Sequence, residues 1–228
     1  DLARARGLSA VNHVIAMYES EDSERLGEFK IASSFIMERL SENLGMEVIR
    51  IMYSSRWVRE NPSVHGFVFE WDILTRLQKL HPLSLIDTNG HDFTWRIQKY
   101  VRLADFIRQG VTADQMLVCP EKWNQPEFDG LYIFRSQNNL HLVAWNASEA
   151  TTHSGSVSKL LVMLEHLSQR ETMPINFATV RFVFLVPAEN VGTFKMPSDS
   201  DCLLAKQQLT AWSFEGFEVF GATPTLLQ

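Results

Sequence analysis

Apolar residues recur at helical spacing in the first third of the chain and at strand spacing further on. Leu8, Val11, Val14, Ile15 and Tyr18 predict an amphipathic helix over 8–18, and the polar stretch 19–24 interrupts it. From 26 to 59 the spacing is again helical, through Phe29, Ile31, Phe35, Ile36, Leu40 and Leu44 to Val48, Ile49, Met52 and Trp57. Gly45 marks a join between two helices there. Asn61-Pro62-Ser63 is a stop-and-restart signal with Ser63 as candidate N-cap. The helix it introduces, predicted over 64–80, has Phe67, Ile73, Leu74 and Leu77 as its core stripe. Glu70 projects from that apolar face. A carboxylate in such a place pairs with a cation such as Arg76, takes up a proton, or holds a metal, because an unpaired buried charge is costly.

Beyond residue 80 the period changes to two. The segments 83–87 and 92–97 flank Thr88-Asn89-Gly90, and Asn-Gly is a strong hairpin signal. The stretch 95–108 mixes Trp95, Tyr100 and Phe106 with Arg96, Lys99, Arg102 and Arg108. Such interleaving could track a phosphate backbone and stack bases, but the simpler reading is a solvated face whose aromatics enter the core. A short strand is predicted over 115–119. The stretch 128–153 reads as a β-hairpin running into a helix: FDGLYIF, a polar turn, then HLVAWNAS and EATTH. On its second strand Leu140, Leu142, Ala144, Asn146 and Ser148 share one face, while His141, Val143, Trp145 and Ala147 share the other. Asp129 opens the first strand. A helix over 155–167, a buried strand over 180–186, a helix over 198–212 and a strand over 217–220 complete the series. No repeat or linker interrupts it. The economical reading is one α/β domain over 61–228 behind a helical N-terminal extension over 1–60.

With 228 residues, 45% of them hydrophobic, the chain can bury a sizeable core. A formal charge of −6 excludes a uniformly basic nucleic-acid coat. It leaves room for a local basic cleft, since charges act over a screening length of roughly 8 Å. Cys119 and Cys202 make neither a zinc spacing nor a disulfide framework, which points to a reducing, intracellular setting. No apolar run approaches the ~20 residues that span a bilayer. The start at Asp1 suggests a domain cut from a longer protein. There is no Gly-rich phosphate loop and no HExxH pattern, and Ser154-Gly155-Ser156 lacks the nucleophile-elbow context.

A metal-dependent nuclease needs acidic oxygens to hold Mg²⁺ or Mn²⁺ against a phosphate, and a group to position the attacking water. Glu70 on a helix, Asp129 at a strand head, and Asn146 and Ser148 on the next strand are one way to supply them. Asparagine ligates without charge, and serine cannot replace an ammonium, so this set is weaker than a complete one.

The pieces HGFVFEWDIL, FDGLYIF, LHLVAWNASEATTH and VRFVFLVP, in this order, resemble the C-terminal nuclease-like domain of Crinkler effectors and of retrotransposon hot spot proteins. Those domains are related to the PD-(D/E)XK, or restriction-endonuclease-like, fold. The resemblance covers about the last three quarters of the chain. It implies a mixed central sheet flanked by helices, with the helix acid at Glu70 and the strand-head aspartate at Asp129. The residues that usually read Glu or Gln, then Lys or Thr, with a histidine following, fall on Asn146, Ser148 and His153. In some members of the wider fold the lysine comes from the next helix, where Lys159 is the candidate. The resemblance further implies nucleic-acid binding, with Arg96, Lys99 and Arg102 as phosphate contacts, or an inactive domain that binds host proteins. It also implies secretion by a pathogen and action inside a host cell, commonly the nucleus.

Overall fold

A computed structural model describes residues 15–17, 29–31, 46–60, 62–120, 128–153, 155–169 and 174–223. Two short strands, β1 (Ile15–Met17) and β2 (Phe29–Ile31), pair antiparallel with Ile15 opposite Ile31. This corrects the helical reading at 15–17 and 29–31; the rest of the readings over 8–18 and 26–45 lies outside the described residues. Strand pairing of β-branched residues overrides a local helical period when the pieces are this short. The helices α1 (Met46–Ser54) and α2 (Arg56–Glu60) are helical as expected and pack on α3 (Pro62–Gln78). Pro62 opens α3, a position where its missing N–H costs nothing. Ile49, Tyr53 and Val58 enter the same core as Phe69, Ile73 and Leu77, so packing is continuous across residue 60.

The remaining strands form one eight-stranded mixed sheet. They are β3 (Leu83–Ile86), β4 (Asp92–Trp95), β5 (Lys99–Arg102), β6 (Gln115–Cys119), β7 (Gly130–Ser136), β8 (Asn139–Ala147), β9 (Thr179–Pro187) and β10 (Phe214–Ala222). Their order is β4-β3-β10-β9-β8-β7-β6-β5. The meander β6–β7–β8 is antiparallel; β9 lies parallel to β8 and to β10. Among the described residues the other α-helices are α4 (Leu103–Gln109), α5 (Ser158–Ser168) and α6 (Asp199–Gln208). Side chains of α1, α2 and α3 pack on one face of the sheet, hereafter the inner face, with Leu117, Val143, Trp145, Val183 and Leu185. Side chains of α4, α5 and α6 pack on the outer face with Leu131, Ile133, Leu142, Phe182 and Phe184. Among the described residues no helix is long and apolar enough to cross a membrane.

The sheet is forced to curl. Strands β4 and β5 are its two edges, yet only residues 96–98 separate them in sequence. Seven strand spacings of about 4.8 Å would put the edges of a flat sheet roughly 34 Å apart. The link from Trp95 to Lys99 reaches at most about 14 Å. The edge strand β4 therefore folds over the inner face, where the Trp95 ring stacks on Tyr132 of β7 at 5.0 Å between centroids. The Tyr132 hydroxyl donates to the Arg96 carbonyl at 3.3 Å, fastening the same closure.

Candidate active site at the carboxyl ends of the strands

Strands β5, β6, β8, β9 and β10 all end at one rim of the sheet, and β7 begins there. Sites in open α/β sheets form outside such carboxyl ends, because loops diverge there and leave a crevice. Asp129 stands at this rim. Its backbone N–H donates to Trp145 O at 2.8 Å, and its Oδ2 accepts the backbone N–H of Ala147 at 2.7 Å. Burial nonetheless pushes its carboxyl up to about 7, with the Ala147 N–H opposing the shift. Gly130 is required beside it. A Cβ at Gly130 would lie 2.6 Å from Cζ2 of Trp145, whose indole covers the glycine.

Glu70 reaches the same rim from α3. Its carboxyl is pushed up to about 8, first by burial and then by the charges of Asp129 and Glu149. Among the described residues no cation pairs with it. Arg76, the expected partner, lies instead 3.9 Å from Asp72 and donates from Nη1 to Thr223 O at 2.8 Å, tying α3 to the end of β10.

Glu149 is the residue that sequence reasoning missed. It follows β8 on the inner face, against Gly66 and in an ion pair with Nδ1 of His65, both in α3. Its carboxyl is raised by burial, an effect that His65 opposes. The signal was available: Trp145 and Ala147 continue at period two to 149. The edge of the Tyr53 ring packs on His65 at 5.4 Å, and burial with the charges of Asp72 and Glu149 holds the Tyr53 hydroxyl protonated.

The other expected residues lie elsewhere. Asn146 alternates onto the outer face, in register with Phe184 of the outer core. Ser148 continues the ladder to Leu185 O at 2.9 Å, and its Oγ accepts the Ala150 N–H at 3.1 Å, so its hydroxyl serves the turn. The His153 ring packs on Phe184 at 5.3 Å, and Lys159 is exposed on α5, both on the outer side. The structure thus separates Asn146, His153 and Lys159 from Glu70. The sheet has two faces, and period two assigns 145, 147 and 149 to one and 146 to the other.

Of the three basic residues expected to meet phosphate, Arg102 stands at the end of β5, at the acidic rim. Its Nη1 donates to Pro120 O at 3.4 Å, its guanidinium lies 5.9 Å from the Tyr100 ring centroid, and its charge is felt at Cys119 together with that of Asp129. Lys99 donates to Thr112 Oγ1 at 2.8 Å, and Arg96 is exposed in the link between β4 and β5. The three do not form one strip.

Among the described residues no group of three or more His, Cys, Asp or Glu side chains is placed to hold a metal ion. The chemistry of the donors still suits a hard divalent cation: Mg²⁺ keeps most of its waters and is bound through one or two carboxylates. Glu70 and Asp129 are two such groups, each raised first by burial. Comparison with protein-family models, with curated proteins and with solved structures returned no match.

Proposed function

We propose that this chain is a nucleic-acid-binding domain of restriction-endonuclease-like fold, of the Crinkler effector type, with a reduced metal-dependent nuclease site. The observation that carries the reading is that Glu70 on α3, Asp129 at the head of β7 and Glu149 just past β8 stand at one rim, with the charges of Asp129 and Glu149 raising the Glu70 carboxyl. The order of elements supports it: α3, the meander β6–β7–β8, α5 and β9, with α3 and α5 on opposite faces. Neither β7 nor β8 carries a lysine, which is why the site counts as reduced.

Glu70 and Asp129 would hold Mg²⁺ or Mn²⁺. The bound ion would supply charge neutralisation at a phosphoryl oxygen and a water of lowered pKa. Asp129 is oriented for this by the Ala147 N–H, which fixes one carboxylate oxygen and leaves the other available. Arg102 at the same rim would meet a phosphate, the fork of the guanidinium matching its oxygens. Because Glu149 engages Nδ1 of His65, proton transfer by this imidazole would use Nε2. As an effector of this type, the domain would act inside a host cell on nuclear nucleic acid.

The test is Mg²⁺- or Mn²⁺-dependent cleavage of plasmid and single-stranded substrates by the wild type and by Glu70→Ala combined with Asp129→Ala. Cleavage that is abolished in the double variant supports the site. Cleavage that is absent, or indifferent to the two substitutions, removes it. A second reading, an inactive domain that binds host proteins, is favoured by the net charge of −6 and the missing lysine. A slope of log affinity against log salt near zero would exclude phosphate contacts and select that reading.

A further inference from the structure

The rim holds carboxylates, but β7 and β8 carry no lysine to act on an attacking water. The helix that brings Glu70 to the rim also brings an imidazole. His65 stands five residues before Glu70 on α3, about 7.5 Å of helical rise. That interval leaves room for a water and a phosphate oxygen beside the carboxylates. Nδ1 of His65 is held by Oε1 of Glu149, a buried oxygen with no other partner among the described residues. Gly66 lets the pair form. A Cβ there would sit 3.6 Å from Cβ of Glu149, so the carboxylate side chain lies against bare helix backbone. The Tyr53 ring of α1 meets the imidazole edge-on at 5.4 Å and 75°, which limits its rotation.

The pair is built asymmetrically. The Glu149 side chain is 16% exposed and the His65 side chain 29%, so the carboxylate is the inner member and the imidazole the outer one. Among the described residues Nε2 of His65 has no partner. A carboxylate that accepts from one ring nitrogen fixes the tautomer and leaves the other nitrogen with a lone pair. The surrounding charged and titratable groups come from three elements: Glu70, Asp72 and Arg76 on α3, Tyr53 on α1, and Glu189 just after β9. Arg76 is buried and engaged by Asp72 and Thr223 O. Of these groups, His65 is the one that offers a nitrogen to solvent.

We propose that His65 is the general base of this site, in place of the missing lysine, and that Glu149 is its positioning residue. The inference rests on the nuclease reading above and adds to it the group that activates water. Nε2 takes a proton from a water as the water oxygen bonds to phosphorus. The P–O bond to the leaving sugar oxygen breaks, and that oxygen departs with the bonding pair and takes a proton from solvent. The imidazolium then returns its proton to solvent. Glu149 stabilises the imidazolium while it lasts and keeps Nε2 turned outward.

The experiment follows Mg²⁺-dependent cleavage of a fluorophore–quencher single-stranded oligonucleotide by the whole chain. Long-range proton–nitrogen NMR spectra of the histidine rings are recorded beside it without metal. Neutral His65 is expected as the Nδ1–H tautomer, and Glu149→Gln is expected to move it toward the Nε2–H form. His65→Ala should lower kcat about 100-fold with KM within about threefold, and added imidazole should restore part of the loss. His65→Asn keeps an N–H for Glu149 and should lose as much kcat at a Tm near wild type. Glu149→Gln should lower kcat about tenfold. In the wild type log kcat should rise with unit slope through the His65 midpoint seen by NMR, and His65→Ala should lack that limb. A neutral His65 in the Nε2–H form, or a loss in His65→Ala that imidazole does not restore, overturns the assignment. Cleavage that depends on Glu70 and Asp129 but survives in His65→Ala sinks the base and keeps the nuclease reading. A wild type that cleaves nothing removes both.

Discussion

Oδ2 of Asp129 accepts the backbone N–H of Ala147 at 2.7 Å, so the Asp129 side chain extends the β7–β8 ladder beyond its last rung, Gly130 opposite Trp145. One carboxylate thereby does two things: it replaces a missing carbonyl for Ala147 and brings a charge into a half-buried site. The two roles separate by substitution. Asp129→Ala leaves the Ala147 N–H without an acceptor and is expected to cost about 1–3 kcal/mol in urea unfolding. Asp129→Asn keeps an acceptor and removes the charge, and is expected to be the more stable of the two variants at pH 8.

Glu70 and Asp129 make stability depend on pH with a definite sign. Their native carboxyls sit at about 8 and about 7, above their ordinary values near 4. Between these limits the native state holds protons that the unfolded chain has released, so stability falls as pH rises. The contribution is fully present below about pH 4 and lost as pH passes through about 7 and 8. Urea midpoints measured from pH 4.5 to 8.5 should decline, and Glu70→Gln should flatten the upper part of the decline. Mg²⁺ should flatten it too, if it binds the pair.

Gly130→Ala tests how tightly the rim is built. The new methyl would sit 2.6 Å from the Trp145 ring, and a buried indole on a central strand has little room to retreat. The expected loss is about 1–3 kcal/mol, as for other overpacked sites. The tryptophan emission maximum should shift with it as the indole moves.

The β7–β8 turn offers a gain. Gln137 and Asn138 both adopt positive φ, 49° and 68°, as a two-residue type I′ turn demands. Glutamine is a poor choice there. Gln137→Asn with Asn138→Gly should raise stability by about 0.5–1 kcal/mol, read as a higher Tm.

Local pattern made much of the middle of the chain legible. The strand predicted over 115–119 is β6, the Asn-Gly hairpin is β3–β4, and the apolar run of β9 and the stripe of α5 fall within a few residues of their observed limits. Ser198 caps α6 by accepting the Asp201 N–H at 3.2 Å. What local pattern lacks is the assignment of a strand's two faces to particular helices. Asn146 stood out because it is a polar residue among apolar ones, yet α3 packs on the other face, where Glu149 lies beyond the visible strand end. Strand β5 was hidden as well: Lys99-Tyr100-Val101-Arg102 is half-buried throughout, and its polar residues concealed the pairing with β6. Ile15 and Ile31 show the opposite failure, a helical spacing produced by residues that pair as strands.

The three residues 96–98 act as a covalent hoop around the curled sheet. Loosening the helix layer cannot let β4 and β5 spread to the distance of a flat sheet, because the chain between them is too short. The space between β4 and the inner face, where Trp95 stacks on Tyr132, therefore has a ceiling on its width that is set by bond lengths. Cutting the hoop by a circular permutation at this link would remove that ceiling and free both sheet edges at once, with the pairing and aggregation hazards that open edges bring.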